Sequence, residues 1–545
     1  MRALALALLA LAGCAPVLEA RSSALPADAT DVGFQRLMFD DFHGLSTETL
    51  SRSAVPWKVL ATALLLEART REPGLPLSEA SAVRLLSQRY GFLVPHRIAN
   101  WPGPGQEPRL RRPLGLIAGT LENRWPRLEL EVTNTGCSTC HAGTTYDVEG
   151  NPTLEAWIGL PSTSINLGRY ADEVFTAFRS ASRAPERLLT AIPVVFPGVT
   201  PVELETIRRR YLPELARRMP TLERIGGFTP YSNGSPGLTN GVATMKMYLG
   251  VLPMDRRADG EVAFVGVPDF GALRWKTAIL VDGVYAPTSW PHSGPLERPL
   301  AGDALTAMAG VATVVTVGTL GVDFRVAAAK NVPRVREVLR YLVSRYQPPR
   351  FPGPVDEARA RAGADVYACH CEGCHGRYAR SADGAFGLVE FPNRVVATEV
   401  IGTDPARAQA VAEGVNEAFR ETAMGALLEA KANRGYVGTP LSAVWATAPY
   451  LHNGSVPTLW HLMHPEARPA RFQVGGHKLD WRRLGLAGEV ASDGVFRYPE
   501  SYTPWMLPEV YDTSLPGRHN GGHVEPFAHM LEAERAAVLE FMKLL

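Results

Sequence analysis

Two short stretches of this chain carry residues spaced for chemistry: Cys137-Ser-Thr-Cys140-His141 and Cys371-Glu-Gly-Cys374-His375. Both read C-x-x-C-H, the attachment signature of haem c. Two thiols at this spacing add to the two vinyl groups of a porphyrin, and the adjoining His is carried under the iron as its proximal ligand. A redox dithiol has no need of a His after its second Cys in both copies. A zinc site would draw four ligands from linked knuckles, whereas these pairs lie in opposite halves of the chain. The spacing therefore predicts two covalently attached haem c groups, one on Cys137 and Cys140 and one on Cys371 and Cys374. His141 and His375 are the expected proximal ligands.

Two of the six cysteines remain, Cys14 and Cys369. Cys369 lies too near Cys371 to bridge it comfortably, and is expected to be a small buried thiol. Cys14 closes an address. Met1-Arg2 supplies a positive start, and Ala3 to Ala12 is an apolar run too short to span a bilayer. Leu11-Ala12-Gly13-Cys14 resembles the bacterial lipoprotein signal. Residues 1–13 are expected to be the signal peptide, Cys14 the lipidated residue and 14–31 a tether. The product is expected to be exported, to an oxidising compartment, on the periplasmic face of a bacterial membrane. Ala15 after Cys14 favours the outer membrane by the same resemblance.

Composition bounds the elements that position the two motifs. With 46% hydrophobic and 20% charged residues, the 545-residue chain is neither disordered nor a polytopic membrane protein. Lys+Arg 56 against Asp+Glu 55 leaves no basic field to hold nucleic acid. The 50 Gly and 44 Pro exclude an all-helical bundle and predict a loop-rich fold. Leu128, Leu130 and Val132 alternate with polar residues, so a strand is expected before the first motif. Val355, Ala358, Ala362 and Val366 share one helical face and predict a helix running into the second motif. Val332 to Tyr346 and Leu531 to Leu545 read as amphipathic helices that close the two halves. Between the halves, Gln347-Pro-Pro-Arg-Phe-Pro-Gly-Pro354 breaks any helix. The expected fold is mainly α, with loop-rich and minor β insertions. It comprises two cytochrome c-like domains, residues 32–350, much enlarged, and residues 351–545.

Further segments point to a family. Trp445-Ala-Thr-Ala-Pro-Tyr-Leu-His-Asn-Gly454, Gly402-Thr-Asp-Pro405 and Asp512 through Gly521-Gly522-His523 resemble bacterial dihaem cytochrome c peroxidases, nearest their rubber-oxygenase-like branch. Cys140-His-Ala-Gly-Thr-Thr-Tyr146 and, more weakly, Pro268-Asp269-Phe270 to Trp275 resemble it too. The resemblance covers most of residues 130–545 and is thin before them.

The resemblance implies a redox division between the haems. The first would be open and activate peroxide or dioxygen; the second would be six-coordinate and pass electrons. His523 matches the late distal ligand of the oxygenase-like branch. The usual peroxidase Met position falls on Glu466, with Met463 and His464 nearby as alternatives. His452 is expected beside the second haem, fixing the Asn453-Gly454 turn, and is a lesser ligand candidate. Phe264 and Phe270 are candidate apolar distal residues at the first haem; Trp275 and Trp445 could stand between the haems or in the core. No motif promotes a distal ligand there among His96, Met245, Met247, Met254 and His292. The expected partners are peroxide or dioxygen, an apolar organic substrate and an electron-donor protein. The alternative is a plain electron carrier with both haems six-coordinate.

Overall fold

The computed structural model describes residues 19–22, 32–39 and 55–545, apart from 103–106, 108, 124–127, 272, 317–323, 383 and 412–413. Cys14 and the expected signal peptide lie outside the described residues. Among those described, no helix is long and apolar enough to cross a membrane.

Helix takes about 41% of the described residues and strand about 15%. The fold is therefore mixed rather than mainly α. The strands are short and form small sheets, because Gly and Pro end them before more partners can add. One four-stranded antiparallel sheet orders Glu19–Ser22, Leu116–Asn123, Leu128–Thr135 and Val55–Pro56. Its strand Leu128–Thr135, expected from the alternation, delivers the chain to Cys137.

Both halves contain the same helix crossing. The second-motif helix is Glu357–His370, begun by the Asp356 carboxylate, which accepts from the Ala358 and Arg359 N–H groups. It packs against the closing helix Glu532–Met542, with Gly363 backed onto the Ala537 carbonyl and a Cβ there only 3.0 Å from Cβ of Phe541. The Tyr367 and Phe541 rings meet at 5.3 Å. In the first half, Val32–Phe39 lies on Phe324–Ser344 in the same way. Gly33 backs onto the Glu337 carbonyl, with Cβ of Tyr341 2.7 Å from where its own would be, and the Phe34 and Tyr341 rings meet at 5.3 Å.

The helix before the second motif forms where expected, but on a different face. Ala360, Gly363 and Tyr367 are buried, whereas Ala358 and Ala362 are exposed. A glycine that admits a second backbone carries no hydrophobic signature, so the apolar spacing pointed to the wrong side. Cys369 falls on the outer side and is exposed, not buried as expected.

The proline-rich stretch after Ser344 is free of helix until Glu357, yet the cores interleave across it. Val415, Phe419 and Leu428 join a core with Leu339 and Tyr346. Tyr146, Leu238 and Phe264 join the core of Trp445 and Phe541. A small sheet pairs Tyr285–Pro287 with Leu428–Ala430. Much of the added sequence, Trp57 through Met219, builds a third, helical core of its own.

Candidate haem sites

Each C-x-x-C-H motif closes a single turn, and the two turns match. Cys140 and His141 both donate their N–H to the Cys137 carbonyl, at 3.2 and 2.9 Å. Cys374 and His375 do the same to Cys371, at 3.1 and 2.9 Å. Burial pushes the Cys140 and Cys371 thiols up to about 12. Metal binding and disulfide exchange need a thiolate at working pH, which this environment opposes.

At the second motif, His375 Nδ1 lies 2.6 Å from the Thr439 carbonyl, which sets the tautomer and leaves the Nε2 lone pair available to a metal. The backbone can come this close because Gly438 packs against Cys374, whose carbonyl carbon would lie 2.9 Å from a Cβ there. Opposite stands His523. Its ring centre is 6.1 Å from that of His375, with 43° between the planes. A metal ion held by one nitrogen of each ring, at about 2 Å, would fit between them. Desolvation, then the neighbouring His375, push His523 down to about 4. Desolvation also lowers His375, against the pull of the Thr439 carbonyl. Both rings are neutral at neutral pH, the form that binds a metal.

His523 sits in a turn held from two sides. Its φ is +50° and its N–H donates to the Ile401 carbonyl at 2.7 Å. Gly522, at φ +75°, packs directly on the Gly402–Thr403 peptide, leaving no room for a side chain. From the other side Arg468 donates to the carbonyls of Asn520 (2.6 Å), Gly522 (2.9 Å), Leu462 (2.8 Å) and His461 (3.1 Å). Asp404 accepts the His519 N–H at 3.0 Å. The Gly402–Pro405 and Gly521–His523 segments, far apart in sequence, thus form one backbone contact.

The other candidate ligands are engaged elsewhere. His464 is held at both ring nitrogens, by the Trp460 carbonyl (2.8 Å) and Glu532 (2.9 Å), and Met463 is in the core. His461 bonds Thr458, His477 bonds Tyr146, and His519 bonds the Thr513 carbonyl. His452 stacks on Tyr436 at 4.0 Å, and its carbonyl accepts from Gly266. Burial pushes it down to about 3. The Asn453 side chain donates to the Gly517 and His519 carbonyls, tying this turn to the His523 loop.

At the first motif, Ser138 donates to the Met38 carbonyl and Thr139 to the Gly115 carbonyl. Phe270 lies face-on against His141, ring centres 4.0 Å apart and planes 26° apart. Rings this close and nearly parallel put Phe270 against the face of the His141 imidazole, not beyond its outer edge. Phe264 belongs to the other core, under the Arg518 guanidinium at 5.4 Å. Asp269 anchors the Phe270 loop, accepting from Tyr346 at 2.7 Å and from the Gly271 N–H at 2.6 Å. Burial pushes His141 down to about 3, against the pull of the Pro268 backbone just before the Phe270 loop. His96 and Met254 are exposed, Met245 is in the core, and His292 bonds the Gly283 carbonyl. Trp445 packs among Phe351 and Trp481. Its indole N–H and that of Trp275 are buried without partners among the described residues.

Sequence reasoning gave no role to Thr439 or Arg468, and none to Asp269 and Tyr346 although both lie in segments it singled out. Thr439 acts through its carbonyl, which every residue has. The others act through partners remote in the chain, and no spacing announces them.

A family model described as RoxA-like, cytochrome c-like matches residues 435–473, which include Thr439, His452 and Arg468. The chain thus carries a cytochrome c-like segment, which implies covalently bound haem c. Two uncharacterized proteins of Sinorhizobium fredii (strain NBRC 101917 / NGR234) are similar. One, y4iJ, is 30% identical over 231 residues, 32% of this chain and 36% of the relative. The other, y4iM, is 39% identical over 90 residues, 16% of this chain and 20% of the relative. The chain therefore spans about a third or less of the curated relatives it matches.

Proposed function

We propose that this is a dihaem c-type cytochrome acting as a redox enzyme, with unlike sites at its two motifs. The observation that carries this reading is the contrast between His375, faced by His523, and His141, flanked by Phe270. Covalent haem supplies the electron transfer and the activation of peroxide or dioxygen.

The chain's residues divide the remaining work. Cys137, Cys140, Cys371 and Cys374 would attach the two haems, and His141 and His375 would be the proximal ligands. Thr439 orients His375, while Arg468 and the Gly402–Gly522 contact hold His523 opposite it. A haem held between these two imidazoles would be closed to other ligands and suited to passing electrons. Phe270 and the Asp269–Tyr346 pair brace His141 from the side, leaving its far side to an exogenous ligand. The matching Gly33 and Gly363 helix crossings support a cytochrome c-like unit in each half. The peroxidase-superfamily relation and its rubber-oxygenase-like branch belong to this reading. So do export, lipidation of Cys14, an outer-membrane location, an electron-donor protein and an apolar organic substrate.

The test is a pyridine haemochrome assay with EPR and carbon monoxide titration of the purified protein. Two haems per chain are expected, one low-spin and closed, one open to carbon monoxide. One haem or none refutes the dihaem reading. Two haems that both refuse carbon monoxide and peroxide after partial reduction identify an electron carrier instead.

A further inference from the structure

A cluster of buried charge lies between the segments that lead to the two axial imidazoles of the second site. Arg407 is 1% exposed and Asp282 3%. They pair, with Nη2 3.2 Å from Oδ1 and Nε 3.0 Å from Oδ2. Arg407 Nη1 is buried and has no hydrogen-bond partner among the described residues. Lys276 is also buried, at 8% exposed, and burial pushes it down to about 8 against the attraction of Asp282. No hydrogen bond or ion pair engages its ammonium among the described residues. One carboxylate thus serves two cations. The nearby Asp404 is already occupied by the backbone N–H groups of Ala406 and His519. The Tyr285 hydroxyl, within electrostatic reach of Arg407 and Asp282, is another buried orphan.

Buried cations and donors are normally paired, and unpaired ones are strongly unfavourable. An anionic group would answer both cations. The connections indicate which anion. The Val437 N–H bonds the Val281 carbonyl at 2.7 Å, next to Asp282, and two residues beyond this strand comes Thr439, which holds His375. Arg407 follows the Ile401–Pro405 segment, which holds His523. A haem attached through its vinyl edge presents two carboxylates on its opposite edge.

We propose that Lys276 and Arg407 form the binding site for the carboxylates of the haem carried by Cys371 and Cys374, an inference that rests on the haem reading above. Because Lys276 comes from the first half of the chain, this contact would also couple the second haem's charge to the segment bearing Phe270.

The test uses the full-length holoprotein and Lys276→Met, a substitution similar in volume that breaks no ion pair among the described residues. Arg407→Gln is a second variant, more prone to misfold because it strands Asp282. Resonance Raman reads the haem carboxylate bending bands, and spectroelectrochemistry reads the midpoint potentials. Lys276→Met should shift the carboxylate band of the low-spin haem and lower its midpoint potential, with haem count and low-spin EPR signal unchanged. Lys276→Arg should retain the wild-type values. Two intact haems with unchanged band and potential in Lys276→Met overturn this inference alone, as does a shift confined to the other haem. A wild type lacking haem at Cys371 and Cys374 overturns it together with the proposed function.

Discussion

The imidazoles of His375 and His523 face each other with ring centres 6.1 Å apart, although 147 other residues separate them in the chain. Arg468 and the Gly402–Gly522 contact set one ring, and the Thr439 carbonyl the other. Removing the distal ring is the direct probe. His523→Ala should convert the second haem from low to high spin and open it to carbon monoxide, leaving the first unchanged. EPR checks this, and a persistent low-spin signal would place the sixth ligand elsewhere.

Arg468 gives a test of positioning as distinct from ligation. Its four carbonyl contacts join the Leu459–Met463 helix to the His523 loop. Charge-assisted hydrogen bonds of this kind contribute about 1.5–3 kcal/mol singly, and losing the set should cost roughly 2–4 kcal/mol. Arg468→Met should lower the melting temperature and broaden the low-spin signal without abolishing it. A sharp, unchanged signal would show that the loop holds itself.

Gly363→Ala tests the helix crossing. Alanine favours a helix over glycine by about 1 kcal/mol. Here its methyl would collide with the Ala537 carbonyl, and overpacking of this kind costs about 1–3 kcal/mol. Net destabilisation is expected, read by thermal or denaturant unfolding. A stabilised variant would mean that the helices can move apart freely.

The Phe270 loop should respond to pH. Burial pushes Asp269 up to about 6, against hydrogen bonds from Tyr346 and the Gly271 and Phe270 backbone. A raised carboxyl pKa means that the fold favours the protonated form. Its contribution is therefore present below the ordinary carboxylate range and is lost as pH rises from about 4 through about 6. Because the residue is only partly buried by surface area, the change is of order 1–2 kcal/mol. Asp269→Asn should flatten that part of the stability–pH curve, and an unaltered slope would exclude Asp269 as its source.

Export is tested at Cys14. The wild type should fractionate with membranes and release into detergent, since stable anchoring takes more than one acyl chain. Cys14→Ser should yield an uncleaved or soluble product. Fractionation identical to the wild type would remove the lipoprotein reading.

The two C-x-x-C-H turns were legible because their chemistry is local. Five consecutive residues carry thiols and imidazole, and the turn closes on its own carbonyl. The strand into Cys137 and the helix into Cys371 were legible for the same reason, since periodicity is a property of neighbours. His523 was readable only through resemblance; its place opposite His375 depends on contacts to Ile401, Gly402 and Arg468 that no spacing encodes. Phe270 was sought across the iron and stands beside His141, because the Asp269–Tyr346 bond fixes its loop from a distant helix end. Local sequence thus determined where two thiols and an imidazole share one turn. Only the tertiary structure decided which groups lie around His141 and His375, because that choice depends on packing between segments remote in the chain.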